Sequence, residues 1–219
     1  MLPLNLAANA TAPLNVLFLG AHSDDIEIGC GGTILNLLAA RKEVHCHWVV
    51  LSSDAQREAE ARKSAAEFLK GAKRGEVAVK QFRNGYFPFV GDTIKDYFEE
   101  LKKAFTPDLV FTHYRSDRHQ DHRVVSDLTW NTFRNHVILE YEIPKYDGDL
   151  GSPNLFVALT DAECREKIRI LQSAFTSQRD KHWFEDDTFR ALMRLRGMES
   201  CSPSAHAEAF YARKLVLAT

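Results

Sequence analysis

The sequence predicts one doubly wound α/β domain, a mostly parallel sheet with helices on both faces. Two observations carry this. Apolar runs of strand length alternate with runs that are apolar at helical spacing, the pattern of β-α-β units. The chain has 219 residues, 45% of them hydrophobic, and shows no internal repeat or low-complexity tract. That is enough for one domain with a substantial core and marginal for two.

The elements follow in order. Residues 16–21 form the first strand. Ile34, Leu37 and Leu38 fall at helical spacing and predict a helix over 32–41. Residues 44–51 are the second strand. A helix over 55–70 is capped by Asp54, with Ala59, Ala66 and Leu69 on its inner face. Residues 76–82 are the third strand, and a helix over 92–105 is capped by Asp92 or Thr93. The fourth strand, 109–113, follows Pro107. A helix runs from about His122 to Asn135. Residues 137–143 and 155–159 are strands, 161–173 a helix, and 210–217 a final strand. Residues 1–14 carry no Lys or Arg and no long apolar core, so they are expected to be a loosely packed leader, with the domain over 15–219.

Right-handed crossovers build such units into a Rossmann-like sheet. In the strand order 3-2-1-4-5, strands one and four lie beside the point where the winding reverses, and ligands bind there at the carboxyl ends. Each of those two strands runs into a polar cluster. Strand one is followed by His22, Ser23, Asp24 and Asp25; strand four by His119, Gln120, Asp121 and His122. Topology thus brings two or more imidazoles and several carboxylates together, an inventory suited to a divalent metal and an activated water. Asp24 and Asp25 are adjacent and point in different directions, so one as ligand and one as base is a natural division. The residues alone leave open which is which. Asp117 and Asp121 could supply the carboxylates that orient histidine ligands. The glycines Gly29, Gly31 and Gly32 match neither G-x-G-x-x-G nor the P-loop, and read as close packing of a helix start.

These motifs resemble a known family. The stretch AHSDDIEIGCGGT is similar to the A-H-P-D-D-x-E-x-G-x-G-G-T signature of the PIG-L/LmbE zinc-dependent N-deacetylases. DRHQDHR resembles that family's H-x-D-H motif, REAEARKSAAEFL its R-x-x-E-x-x-x-A-A-x-x-L helix, and AEAF the start of its C-terminal strand. The resemblance spans residues 16–213. It implies His22, Asp25 and His122 as ligands of zinc or another divalent ion. It also implies Asp24 as general base, His119 beside the substrate carbonyl and held by Asp121, and Arg57 as a substrate contact. The implied reaction is removal of an acetyl group from an N-acetylglucosamine-type amino sugar on a small molecule or glycoconjugate. Ser23 stands where the family has proline, which removes loop rigidity but no ligand.

The remaining features bound the function. A formal charge of −2 gives no footprint for nucleic acid. No run approaches 18 apolar residues, so no membrane span is expected. Four cysteines without a C-x-x-C pair suit a reduced, cytoplasmic setting. A homo-oligomer is compatible with the sequence. Two rivals are a metal hydrolase of another amide or ester and a nucleotide-binding module without catalysis, the latter supported by Asp54 near the end of strand two. Aromatic residues Tyr86, Phe87, Phe89 and Trp183 are candidates for a sugar-binding rim or for packing.

Overall fold

A computed structural model describes residues 12–216. Residues 1–11 of the expected leader lie outside the described residues. Among the described residues seven strands form one sheet: β1 (Leu14–Gly20), β2 (Val44–Val50), β3 (Arg74–Val79), β4 (Leu109–His113), β5 (Val137–Tyr141), β6 (Leu155–Ala158) and β7 (Ala207–Ala212). Their order is β3-β2-β1-β4-β5-β7-β6. The first five are parallel in the expected order 3-2-1-4-5, and β7 runs antiparallel to both β5 and β6. The architecture is a single-domain, mostly parallel α/β sheet, as the sequence predicts.

Six α-helices cover the two faces among the described residues: α1 (Asp25–Ala40), α2 (Ala55–Phe68), α3 (Gly91–Ala104), α4 (Gln120–Thr132), α5 (Asp161–Ala174) and α6 (Asp186–Glu199). Alternation along β1 divides the core in two. Val16 and Phe18 join Trp48, Phe68, Phe111 and Tyr141 on one side. Leu17 and Leu19 join Val49, Ile94, Phe98 and Val110 on the other. Helix starts follow local chemistry. Asp54 accepts from the Arg57 backbone N–H at 2.9 Å, and Thr160 with Glu163 makes a capping box at α5.

Most boundaries shift by a few residues, β3 to Arg74–Val79 among them, and three departures are larger. The first helix begins at Asp25, not at residue 32, so the glycines lie within it. Their missing side chains admit neighbours: a Cβ on Gly29 would meet the Tyr141 ring at 2.2 Å, and one on Gly31 the Phe68 ring at 2.9 Å. The segment 179–204, to which the sequence reading assigns no element, contains α6. Its inner face includes the buried Arg196 beside Phe189 and Met193, which hides the apolar period. The last strand starts at Ala207 and ends at Ala212, not over 210–217. Its second residue, Glu208, is buried against Lys167 and masks the strand in hydropathy, and Leu217 lies outside the described residues. Among the described residues no helix is long and apolar enough to cross a membrane.

Candidate active site

The carboxyl ends of β1 and β4 deliver the two polar clusters to one place. His22 follows β1; Asp25 opens α1; His122 sits in the first turn of α4. Three atoms converge. His22 Nδ1 is 3.2 Å from His122 Nε2 and 3.3 Å from Asp25 Oδ2, and His122 Nε2 is 3.6 Å from Asp25 Oδ2. Ligand bonds of about 2.0–2.1 Å in a tetrahedral site set neighbouring donors roughly 3.3–3.4 Å apart. The set therefore fits a zinc-sized ion without rearrangement.

The opposite nitrogens are occupied in the way metal-binding imidazoles require. His122 Nδ1 pairs with Asp117 Oδ2 at 2.9 Å, and His22 Nε2 faces Asp121 Oδ2 at 3.3 Å. Each carboxylate fixes a tautomer that frees the nitrogen facing the shared centre. Burial opposes a proton on His22, but Asp25 and Asp121 outweigh it and push its pKa up to about 10. Burial and the adjacent His113 bring His122 down to about 3. The acidic surroundings of His22 thus favour a positive charge, which a divalent cation supplies as well as a proton does.

Two other imidazoles lie within reach. His113, at the end of β4, is fully buried, with Nε2 3.2 Å from Asp25 Oδ2. It is close enough to Asp25 and His122 to form a second donor group. However, the Ala21 N–H donates to that nitrogen at 3.0 Å, so its lone pair is already engaged. His119 also groups with His22 and His122. Its Nδ1 accepts from the Asp121 N–H at 3.2 Å, so neutral His119 carries its proton on Nε2 and offers a donor there, not a lone pair. Backbone N–H groups thus occupy the single lone pair of His113 Nε2 and of His119 Nδ1, whereas Asp25 Oδ2, which accepts from the His22 N–H at 2.6 Å, has a further lone pair.

Asp24 is 4% exposed. Its Oδ1 accepts from Arg57 Nη2 at 2.8 Å, while Oδ2 is buried with no partner among the described residues. Burial raises its pKa, and Arg57 opposes the rise. Arg57, expected to contact substrate, lines the cleft but spends its guanidinium on Asp24. It lies 3.6 Å from Glu60 Oε2 and over the Phe175 ring at 5.4 Å. Asp121 does not hold His119 by its carboxylate. That carboxylate accepts from the N–H groups of Gly85 at 2.6 Å and Phe87 at 3.1 Å, tying the 84–89 loop to the site. Ser23, in place of proline, donates to Ser53 Oγ at 3.1 Å and so links the loops after β1 and β2.

Above these groups opens a cleft of about 890 Å³, lined by Asp24, Asp25 and His122 at its base and by Arg83, Lys145 and Trp183 among its walls. The aromatic candidates divide. Phe87 is fully buried, Trp183 lines the cleft, and Tyr86 and Phe89 are 41% and 79% exposed. Sequence reasoning missed His113 and Lys145. His113 is signalled only as the titratable residue that ends an apolar strand. Lys145 Nζ, 2.9 Å from Asp117 Oδ2, comes from a loop without a readable pattern.

A doubly wound domain with carboxylate-backed imidazoles at the point where the winding reverses defines a class of site. The chain belongs to the PIG-L family, described as GlcNAc-PI de-N-acetylase, which matches residues 17–133. Solved structures share the fold. The conserved protein TT1542 from Thermus thermophilus is 19% identical over 94% of this chain and 97% of its own, with a TM-score of 0.72. The N,N'-diacetylchitobiose deacetylase from Pyrococcus horikoshii is 22% identical over 95% and 88%, with a TM-score of 0.66. GalB, the 4-carboxy-2-hydroxymuconate hydratase from Pseudomonas putida, is 15% identical over 94% and 98%, with a TM-score of 0.71.

Proposed function

We propose that this chain is a metal-dependent N-deacetylase that hydrolyses the acetamide of an N-acetylglucosamine-type amino sugar on a small molecule or glycoconjugate. The observation that carries the reading is the convergence of His22 Nδ1, Asp25 Oδ2 and His122 Nε2 within 3.6 Å, next to the free Oδ2 of Asp24. Because the fold also serves a hydratase, the family match and the donor set support the activity, not the architecture.

His22, Asp25 and His122 would hold zinc or another divalent ion, which supplies a Lewis acid and lowers the pKa of water toward neutrality. Asp24 Oδ2 takes the proton of the attacking water, while Arg57 on Oδ1 keeps the carboxylate aimed. Burial brings the Asp24 pKa up from its ordinary value, toward the range where a base works near neutral pH. His119 presents Nε2–H to the carbonyl oxygen as negative charge develops there. The amine departs with the proton returned by Asp24, and the products are acetate and the free amino sugar. Asp54 caps α2, which accounts for the feature that favoured a nucleotide-binding module. All four cysteines are free, in keeping with a reducing compartment such as the cytoplasm.

Acetate release from a panel of N-acetylated sugars, measured with metal content, tests the proposal. Metal-loaded protein is expected to deacetylate at least one of them. His22→Ala and His122→Ala should lose both metal and turnover. Full metal occupancy in both variants would overturn the ligand set. Release of acetate from simple esters or peptides but from no sugar would overturn the substrate class.

A further inference from the structure

Helix α1 breaks at Cys30, whose φ of −144° and ψ of 16° are not helical. In an unbroken helix the Gly32 N–H would bond to the Ile28 carbonyl and the Thr33 N–H to that of Gly29. Instead Gly32 and Thr33 donate to Glu208, to Oε1 at 2.8 Å and Oε2 at 2.6 Å. Lys167 Nζ donates to the Ile28 carbonyl at 2.6 Å and to Glu208 Oε1 at 2.6 Å. An ion pair is thus spliced into the hydrogen-bond ladder of the helix, one of the recognised ways to bend one. Lys167 comes from α5 and Glu208 from β7, and they are 3% and 5% exposed. Charges taken out of water this fully add little stability over apolar residues of the same size.

The break isolates the first turn of α1, the turn that begins with Asp25 and follows Asp24. We propose that Lys167 and Glu208 are positioning residues for the metal site. Their ion pair sets the direction of this turn and thereby places the Asp25 carboxylate against His22 and His122. Gly29, packed on the Tyr141 ring, holds the other side of the same turn. The inference rests on the metal reading proposed above.

Zinc affinity, measured by competition with a chromophoric chelator, tests it together with the Tm of the metal-free protein. The double variant Lys167→Met/Glu208→Gln removes both charges, so neither is left buried alone. It is expected to fold and to bind zinc about 10–100-fold more weakly, the effect typical of groups that orient ligands. The matched double variant Arg196→Met/Glu142→Gln, at a second buried ion pair, should keep wild-type zinc affinity. If the first variant does not fold, Lys167→Arg retains the charge pair while displacing the donor, and a measurable loss of zinc affinity is expected there. Wild-type zinc affinity in a folded Lys167 or Glu208 variant, with only Tm lowered, would overturn the proposal. Absence of zinc binding by the wild-type protein would instead overturn the metal reading and this inference with it.

Discussion

Alanine at Gly29 would put its Cβ 2.2 Å from Cδ2 of Tyr141, 2.5 Å from Cγ and 2.9 Å from Cε2. Carbon atoms in good contact sit about 3.5–4.0 Å apart, so more than an ångström of separation must be found. Tyr141 cannot supply it. The ring is fully buried, its hydroxyl donates to the Leu19 carbonyl at 2.6 Å, and its strand is hydrogen-bonded on both sides. The first turn of α1 must move instead. Overpacking of this kind costs about 1–3 kcal/mol and more when backbone has to shift. Better helix propensity returns at most about 1 kcal/mol. A net loss of about 1–2 kcal/mol corresponds to a Tm lowered by roughly 2–8 °C in a chain of this size. Gly91→Ala is the matched control: it lies at the start of α3, and a Cβ there meets nothing within 4 Å. Thermal unfolding of both variants should show a lowered Tm for Gly29→Ala and an unchanged or raised one for Gly91→Ala. A Gly29→Ala protein as stable as wild type would refute the packing argument.

Three further outcomes are expected. Asp24→Asn should keep the fold and bound metal while kcat falls on the order of 10²–10⁴-fold; near-normal kcat in metal-loaded protein would remove Asp24 as base. His119→Ala should retain zinc and lose kcat more than KM. It should also lose one limb of the pH profile, lying below the ordinary histidine value of about 6.5, because burial first and His22 second oppose protonation of His119. Zinc loss on this substitution would make it a ligand. Arg57→Ala should lower kcat/KM through the loss of its bond to Asp24, whereas Arg62→Ala, whose guanidinium meets Glu58 at 2.8 Å on the surface, should not; equal values in the two variants would leave Arg57 no role in turnover.

The fold was legible wherever burial is apolar. Strands β1, β2 and β4 read as apolar runs because helices cover both faces, and their order follows from crossover handedness. Legibility failed where burial is polar or where side chains are absent. Arg196 faces inward in α6 because Glu142 meets it at 2.8 Å. Glu208 faces inward in β7 because Lys167 and the break in α1 meet it. A hydropathy pattern scores both as solvent-facing. The glycines of α1 read as close packing at a helix start and not as helix interior, because the rings they admit, Tyr141 and Phe68, come from distant segments.

The site shows the same limit at finer scale. Topology and residue type bring the imidazoles of His22, His119 and His122 and the carboxylates of Asp24, Asp25, Asp117 and Asp121 to one sheet edge, and this much follows from β1 and β4 being neighbours. Which atoms remain free is a different question, decided by main-chain donors. The Ala21 N–H engages His113 Nε2, the Asp121 N–H engages His119 Nδ1, and the N–H groups of Gly85 and Phe87 turn the Asp121 carboxylate away from His119. None of these donors has a side-chain identity, so no residue type announces them. A lone pair left over after the backbone has taken its share separates a candidate ligand from a neighbour; Asp25 Oδ2 can keep one although the His22 N–H donates to it at 2.6 Å, and with the facing nitrogens of His22 and His122 it makes up the proposed set. The family signature carries part of that accounting: Ala21 and Asp121, whose N–H groups engage His113 and His119, lie within AHSDD and HQDH, while Gly85 and Phe87 lie outside both.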